Sequence, residues 1–273
     1  ADLRPEGRQG ALSRSLASAA EYYGLWSAVW ERQALLRARA CAGDTALGEE
    51  FLALIAPLRW SAGGLGEDEL RQIRRLKARM EAERLPRGAD PARHLKLGPG
   101  GLSDVEWVAQ VLQLAHAHEV SGLRTTSTLE ALMAAAEAGL LSVDDAGVLM
   151  SAWILATRIR AATVLGVGRD SGARVDILPS DERGIRLVGR LLGLASGSER
   201  DLEDLYRRSA RHARAVVERV LRSAGGGLGQ VEPAQPQASA KPVARPAAKP
   251  APARPPSPPR RTGRRGAGPY PWS

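Results

Sequence analysis

The chain has 273 residues, 44% of them hydrophobic, with 39 Lys and Arg against 30 Asp and Glu and a formal net charge of +9. That length makes one large domain or two small ones. A single cysteine, Cys41, excludes a disulfide framework, and the apolar runs read as too short and interrupted for a signal or a membrane span, so a reduced cytoplasmic setting is expected.

Ala1 to Gly10 reads as the end of a strand and a tight charged loop. Proline pushes its predecessor out of the helical region, so Leu3-Arg4-Pro5 predicts an extended exit. Gly7 and Gly10 allow close turning, and Arg4 and Arg8 beside them carry the donors and charge to grip a phosphate. Helical spacing starts at Leu12, with Leu16, Ala19 and Ala20 on one face. Tyr22, Tyr23, Leu25, Trp26, Val29 and Trp30 gather the sparse aromatics, and Trp30 to Arg39 continues in strong helix formers. One long helix with an aromatic core stripe is predicted there. Gly43 and Asp44 close it and cap the next, which carries Leu47, Phe51, Leu54 and Ile55 to Pro57; Cys41 between them reads as a small core residue.

Glu67 to Glu83 predicts a helix with Leu70, Ile73, Leu76 and Met80 on its inner face. Arg71, Arg74, Arg75, Lys77 and Arg79, mixed with acids, read as its solvated side. After the breaks at Pro86, Gly88 and Pro91 comes Lys96-Leu97-Gly98-Pro99-Gly100-Gly101-Leu102, a glycine-rich turn. Ser103 and Glu106 then have capping-box spacing. The following helix is apolar on nearly every side, with Glu106, Gln110 and Gln113 as its polar stripe, which predicts burial. Lys96, with Gly98, Gly100, Gly101 and open amides at the helix start, has the makings of an anion site. Ser127 and Glu130 give a second capping box; Ser142 to Asp145 starts a helix bearing Leu149, Trp153, Ala156 and Ile159; further helices carry Ile185 to Leu192 and Leu202 to Val220. The body predicts an all-α bundle. No P-loop, dinucleotide fingerprint, HExxH or Cys/His cluster occurs.

From Ala224 the composition changes. Twelve of the eighteen prolines and eight Lys and Arg lie there with one acid, Glu232, which leaves a nearly balanced body of thirty-one bases and twenty-nine acids. The expectation is a disordered basic tail over 224–273 and no broad nucleic-acid face on the body. Any nucleic-acid affinity would belong to the tail.

Three stretches in this order form a pattern: Ala1-Asp2-Leu3-Arg4-Pro5-Glu6-Gly7-Arg8-Gln9-Gly10, Trp30-Glu31-Arg32-Gln33-Ala34-Leu35-Leu36-Arg37-Ala38-Arg39 followed by Gly43-Asp44, and Lys96 to Trp107. Together they resemble the glutamine synthetase adenylyltransferase family of the actinobacterial kind, in its C-terminal half. The resemblance implies a helical domain over 16–223 after the last strand of a nucleotidyltransferase domain ending near 15. It implies ATP and Mg²⁺ as cofactors, with two metal ions on three carboxylates, and transfer of AMP from ATP to a tyrosine of glutamine synthetase. The N-terminal half of such an enzyme would remove the AMP by phosphorolysis, and a PII-type nitrogen signalling protein would bias the two. Aligned on Leu3-Arg4-Pro5, the family's metal carboxylate falls just ahead of Ala1 and Asp2 takes a variable place, so no catalytic or metal residue is expected within the chain. Adenylylation by 1–273 alone is therefore not expected. A helical interaction module that binds a regulator or target, without chemistry, is the alternative.

Overall fold

The computed structural model describes residues 5–6, 9–86, 88–167, 173–195 and 199–223, and every regular element among them is helical. The strand expected at Leu3 and the disorder expected from Ala224 lie outside the described residues.

The first helix, α1 (Leu16–Trp26), starts later than its apolar spacing suggested. Ser15 caps it by accepting the Ser18 amide at 3.2 Å, and Leu12 is left 87% exposed. Nor does it run on through Trp30. The chain breaks at Ser27-Ala28, and α2 (Val29–Leu35) starts afresh because the Glu31 carboxylate turns back to accept the Ala28 amide at 2.9 Å. Asp44 caps α3 (Thr45–Arg59) as expected, accepting from Ala46 and Leu47 at 2.8 and 3.2 Å. One inward assignment fails here: Cys41 is exposed, and Leu47 on α3 is exposed as well. The three helices enclose a small core of Ala19, Tyr23, Leu35 and Ile55, with Tyr23 edge-on to Phe51.

The larger core gathers α2, α4 (Glu67–Arg84), α5 (Leu102–His116), α6 (Thr128–Glu137), α7 (Val143–Val167) and the C-terminal half of α9 (Glu199–Ser223). Within it α5 is central, burying Val105, Val108, Val111, Leu112 and Leu114. Its polar stripe is not a wet edge. Gln113 donates to the Leu123 and Thr125 carbonyls at 2.8 and 2.7 Å, Gln110 accepts from Gln33 at 2.6 Å, and Glu106 faces Arg37 at 3.5 Å. Each of these three side chains thus ties α5 to a neighbouring segment. A third core joins α8 (Glu182–Leu191) to Leu95, Leu102, Leu178, the far end of α7 and the N-terminal half of α9.

One helix, Val143–Gly166, is long and apolar enough by length and composition to cross a membrane, contrary to the reading of the apolar runs as too short. It packs on α5, α6, α8 and α9, and Leu149, Ala152, Ala156 and Ile159 are buried there.

Candidate functional site

The glycine turn enters α5 under tight constraint. Its N-cap is Gly101, two residues before the Ser103 that the spacing favoured, so the Ser103–Glu106 capping box does not form. The physical reason is that the turn folds back and caps the helix with its own carbonyls: Leu102 donates to Leu95 O and Ser103 to Lys96 O, both at 2.9 Å. Gly98 and Gly101 donate to the carbonyls of His94 and Gly98, both at 2.9 Å, and Gly100 to the Asp104 carboxylate at 2.7 Å. His94, 2% exposed, accepts the amides of Lys96 and Leu97 on Nδ1 at 3.3 and 3.1 Å. Every amide from His94 to Val105 is therefore committed inside the protein, Pro99 having none. The open amides expected at this helix start are absent, and Lys96, which is exposed, is the turn's remaining donor toward an anion.

The glycines themselves answer to packing. Gly100 has φ +73° and a Cβ there would lie 1.8 Å from Ala210 O; at Gly98 it would lie 2.2 Å from Pro91 O, and at Gly101 2.6 Å from Leu95 O. Gly10, buried near the start of the chain, would put a Cβ 1.9 Å from Pro5 O. Arg4, Gly7 and Arg8 lie outside the described residues.

Beneath the turn is a charged centre that periodicity did not single out. Asp104, 3% exposed, meets Lys77 of α4 and Arg214 of α9, the latter at 3.0 Å. Glu81 also pairs with Lys77, and with Arg214 at 3.2 Å, while Glu218 takes Arg214 Nε at 2.7 Å. Burial pushes the Asp104 carboxyl up, yet Lys77, the Gly100 amide and Arg214 outweigh it and hold the group below the usual carboxylate range. Burial pulls Arg214 down, but Asp104, Glu218 and Glu81 raise it well above its ordinary value. Lys77, which charge patterning puts on a solvated face, is instead 7% exposed. Its place four residues after Ile73, on the apolar side of α4, was the signal available. Asp104 gave none, because its partners are 27 and 110 residues away.

Further ties fix the turn. Tyr206, buried on α9, donates to His94 O at 3.3 Å, and burial and the Asp104 charge raise its hydroxyl well above the ordinary tyrosine range. Burial depresses the His94 imidazole, Asp176 opposing. His94 pairs with Ile177 in an isolated antiparallel bridge, and Arg93 spans to Leu178 O at 3.3 Å and Glu203 at 2.6 Å. In the second motif Arg32 donates to Leu58 O at 3.0 Å and pairs with Glu69, and Arg37 donates to Thr126 O and Thr128 Oγ1 at 3.0 and 2.7 Å. The motif's polar side chains are thus ties between helices. Among the described residues no three His, Cys, Asp or Glu side chains group so as to hold a metal ion.

Against known proteins, residues 71–222 match the family model described as GlnD PII-uridylyltransferase, and residues 1–54 match that of glutamate-ammonia ligase adenylyltransferase. A bifunctional glutamine synthetase adenylyltransferase/adenylyl-removing enzyme of Streptomyces coelicolor is 59% identical over 218 residues, covering 80% of this chain and 21% of that protein. The proteins of the same name from Nocardia farcinica and Mycobacterium avium are 52% and 51% identical, each covering 82% of this chain and 22% of its own length. The chain thus spans about a fifth of the length of these curated relatives.

Proposed function

The chain belongs to the glutamine synthetase adenylyltransferase family, and from that premise we propose that it is the helical C-terminal part of an enzyme that moves AMP from ATP to a tyrosine of glutamine synthetase. Residues 1–15 then close a nucleotidyltransferase domain, 16–223 form its helical partner and 224–273 a basic tail. Removal of AMP by phosphorolysis belongs to the other half of that enzyme. Glutamine synthetase is the protein substrate, a PII-type signalling protein the regulator and the cytoplasm the setting.

One observation carries the part given to this chain: a rigid turn, with every backbone amide used internally, presents the exposed ammonium of Lys96. Lys96 is the group assigned to the triphosphate, with Arg4 and Arg8 of the first motif. Gly7, Gly10, Gly98, Gly100 and Gly101 are assigned with them to the two loops that meet the nucleotide. ATP and Mg²⁺ are cofactors of the whole enzyme. The described residues do not fit a magnesium site, since the acids at the centre are neutralised by Lys77 and Arg214. By the register on Leu3-Arg4-Pro5, the metal carboxylates are assigned to the larger enzyme.

The test compares 1–273 with a longer chain that includes the nucleotidyltransferase strands, each given ATP, Mg²⁺ and glutamine synthetase. AMP transfer is expected from the longer chain alone. In that chain Lys96→Ala should raise the KM for ATP by about tenfold, the loss of one charge-assisted contact, with helicity unchanged. Transfer by 1–273 that Asp2→Asn abolishes would place the metal site within this chain and overturn the assignment.

A further inference from the structure

A groove of about 500 Å³ runs between the first turns of α7 and the middle of α9. Val143, Gly147, Val148 and Ser151 line one side, Leu205 and Ser209 the other. Two of these are large apolar side chains left to water, Val143 at 77% and Leu205 at 45% exposure. The rims differ in charge: Asp144 on α7 and Arg208 on α9, with the His212 imidazole beside Arg208's rim as a hydrogen-bonding group. Among the described residues none of these three has an ion-pair partner, whereas the adjacent Asp145 is paired with Arg219.

Gly147 adds an independent observation. It lies inside α7, where glycine weakens a helix relative to alanine. A Cβ there would meet nothing within 4 Å. Internal packing therefore does not require this glycine, but close approach of a backbone from outside would. An open channel with apolar walls, a bare helix surface and opposed charged rims matches the way an amphipathic helix is held in a groove.

We propose that this groove docks an amphipathic helix of a partner protein, with leucine-like side chains against Val143 and Leu205, a carboxylate toward Arg208 and His212, and a basic group toward Asp144. The surface is independent of the catalytic reading, because no residue assigned to ATP lies in it.

The full 273-residue chain is titrated into a labelled helical peptide with Leu on one face, Glu on one flank and Lys on the other, read by fluorescence anisotropy. Saturable binding is expected, weakened about tenfold by Arg208→Glu and by a peptide whose Glu residues are replaced by Lys, as like charges meet. Gly147→Phe should abolish binding while circular dichroism stays unchanged. Absence of binding, or binding indifferent to Gly147→Phe and Arg208→Glu, overturns the proposal. So does sedimentation showing a dimer that Gly147→Phe dissociates, which would assign the groove to a second copy. Vesicle binding through the same residues without peptide binding would assign it to a lipid surface and overturn the proposal equally.

Discussion

Asp104→Ala is the sharpest perturbation of the buried charges. The buried carboxylate faces buried Lys77 and the partly exposed Arg214, and it accepts the Gly100 amide. Removing one partner from a buried ion pair costs about 3–5 kcal/mol. The lower end applies, because Glu81 stays to face both cations. The orphaned Gly100 amide adds about 1 kcal/mol, giving a loss of about 4 kcal/mol. With a urea slope of about 2.5 kcal/mol/M, the unfolding midpoint should fall by about 1.6 M. Asp104→Asn keeps the volume and an acceptor for Gly100, so about half that fall is expected. The same carboxyl sets an acid limit. Its folded pKa lies below the unfolded one, so its contribution is complete above about pH 4 and is lost as pH falls through the folded value. Urea titrations of the three proteins at neutral and acid pH measure both effects. A midpoint shift under about 0.5 M for Asp104→Ala, against the 1–3 kcal/mol/M range of slopes, would refute the view that the pair holds α4, α5 and α9 together.

Three other substitutions probe the same architecture. His94 is depressed by burial, so stability should decline as pH falls from about 6.5 toward its folded pKa, since protonated Nδ1 no longer accepts from Lys96 and Leu97; His94→Asn keeps an acceptor and should flatten that part of a pH–denaturation profile. Gly100→Ala combines a left-handed backbone with a collision against Ala210 O and should cost about 3 kcal/mol or more by urea titration. Gly147→Ala, in open space, should stabilise the chain by about 0.5–1 kcal/mol, read as a raised Tm.

What the sequence revealed follows from how far each interaction reaches. Caps at Asp44 and Ser127 act over two or three residues and were legible, as was the apolar period that buries Leu70, Ile73, Leu202 and Val217. The break at Ser27-Ala28 was hidden because apolar residues at helical spacing run on across it, and the Glu31 contact with the Ala28 amide decides it. The register at α5 was missed for a related reason. Ser103 has the spacing of a cap, but the Leu95 and Lys96 carbonyls reach those amides first. Of the candidate phosphate residues, the sequence marked a glycine-rich turn with Lys96 in it ahead of α5, and the structure has a tight turn there. The sequence could not show that the turn's amides were already spent, since that depends on His94 and Asp104 folding back on them.

The side-chain ties between α4 and α9 bear on how the protein is made. Arg74 reaches Leu221 O across 147 residues, and Arg214 reaches Asp104 across 110. During synthesis Lys77 and Asp104 emerge close together in time and can neutralise each other at once, whereas Arg214 arrives more than a hundred residues later. Both larger cores also wait for α9, which supplies Leu202 and Tyr206 to one and Val216, Val217 and Val220 to the other. A nascent chain stalled before α9 therefore exposes two unfinished apolar surfaces at once, a state that invites chaperones or aggregation.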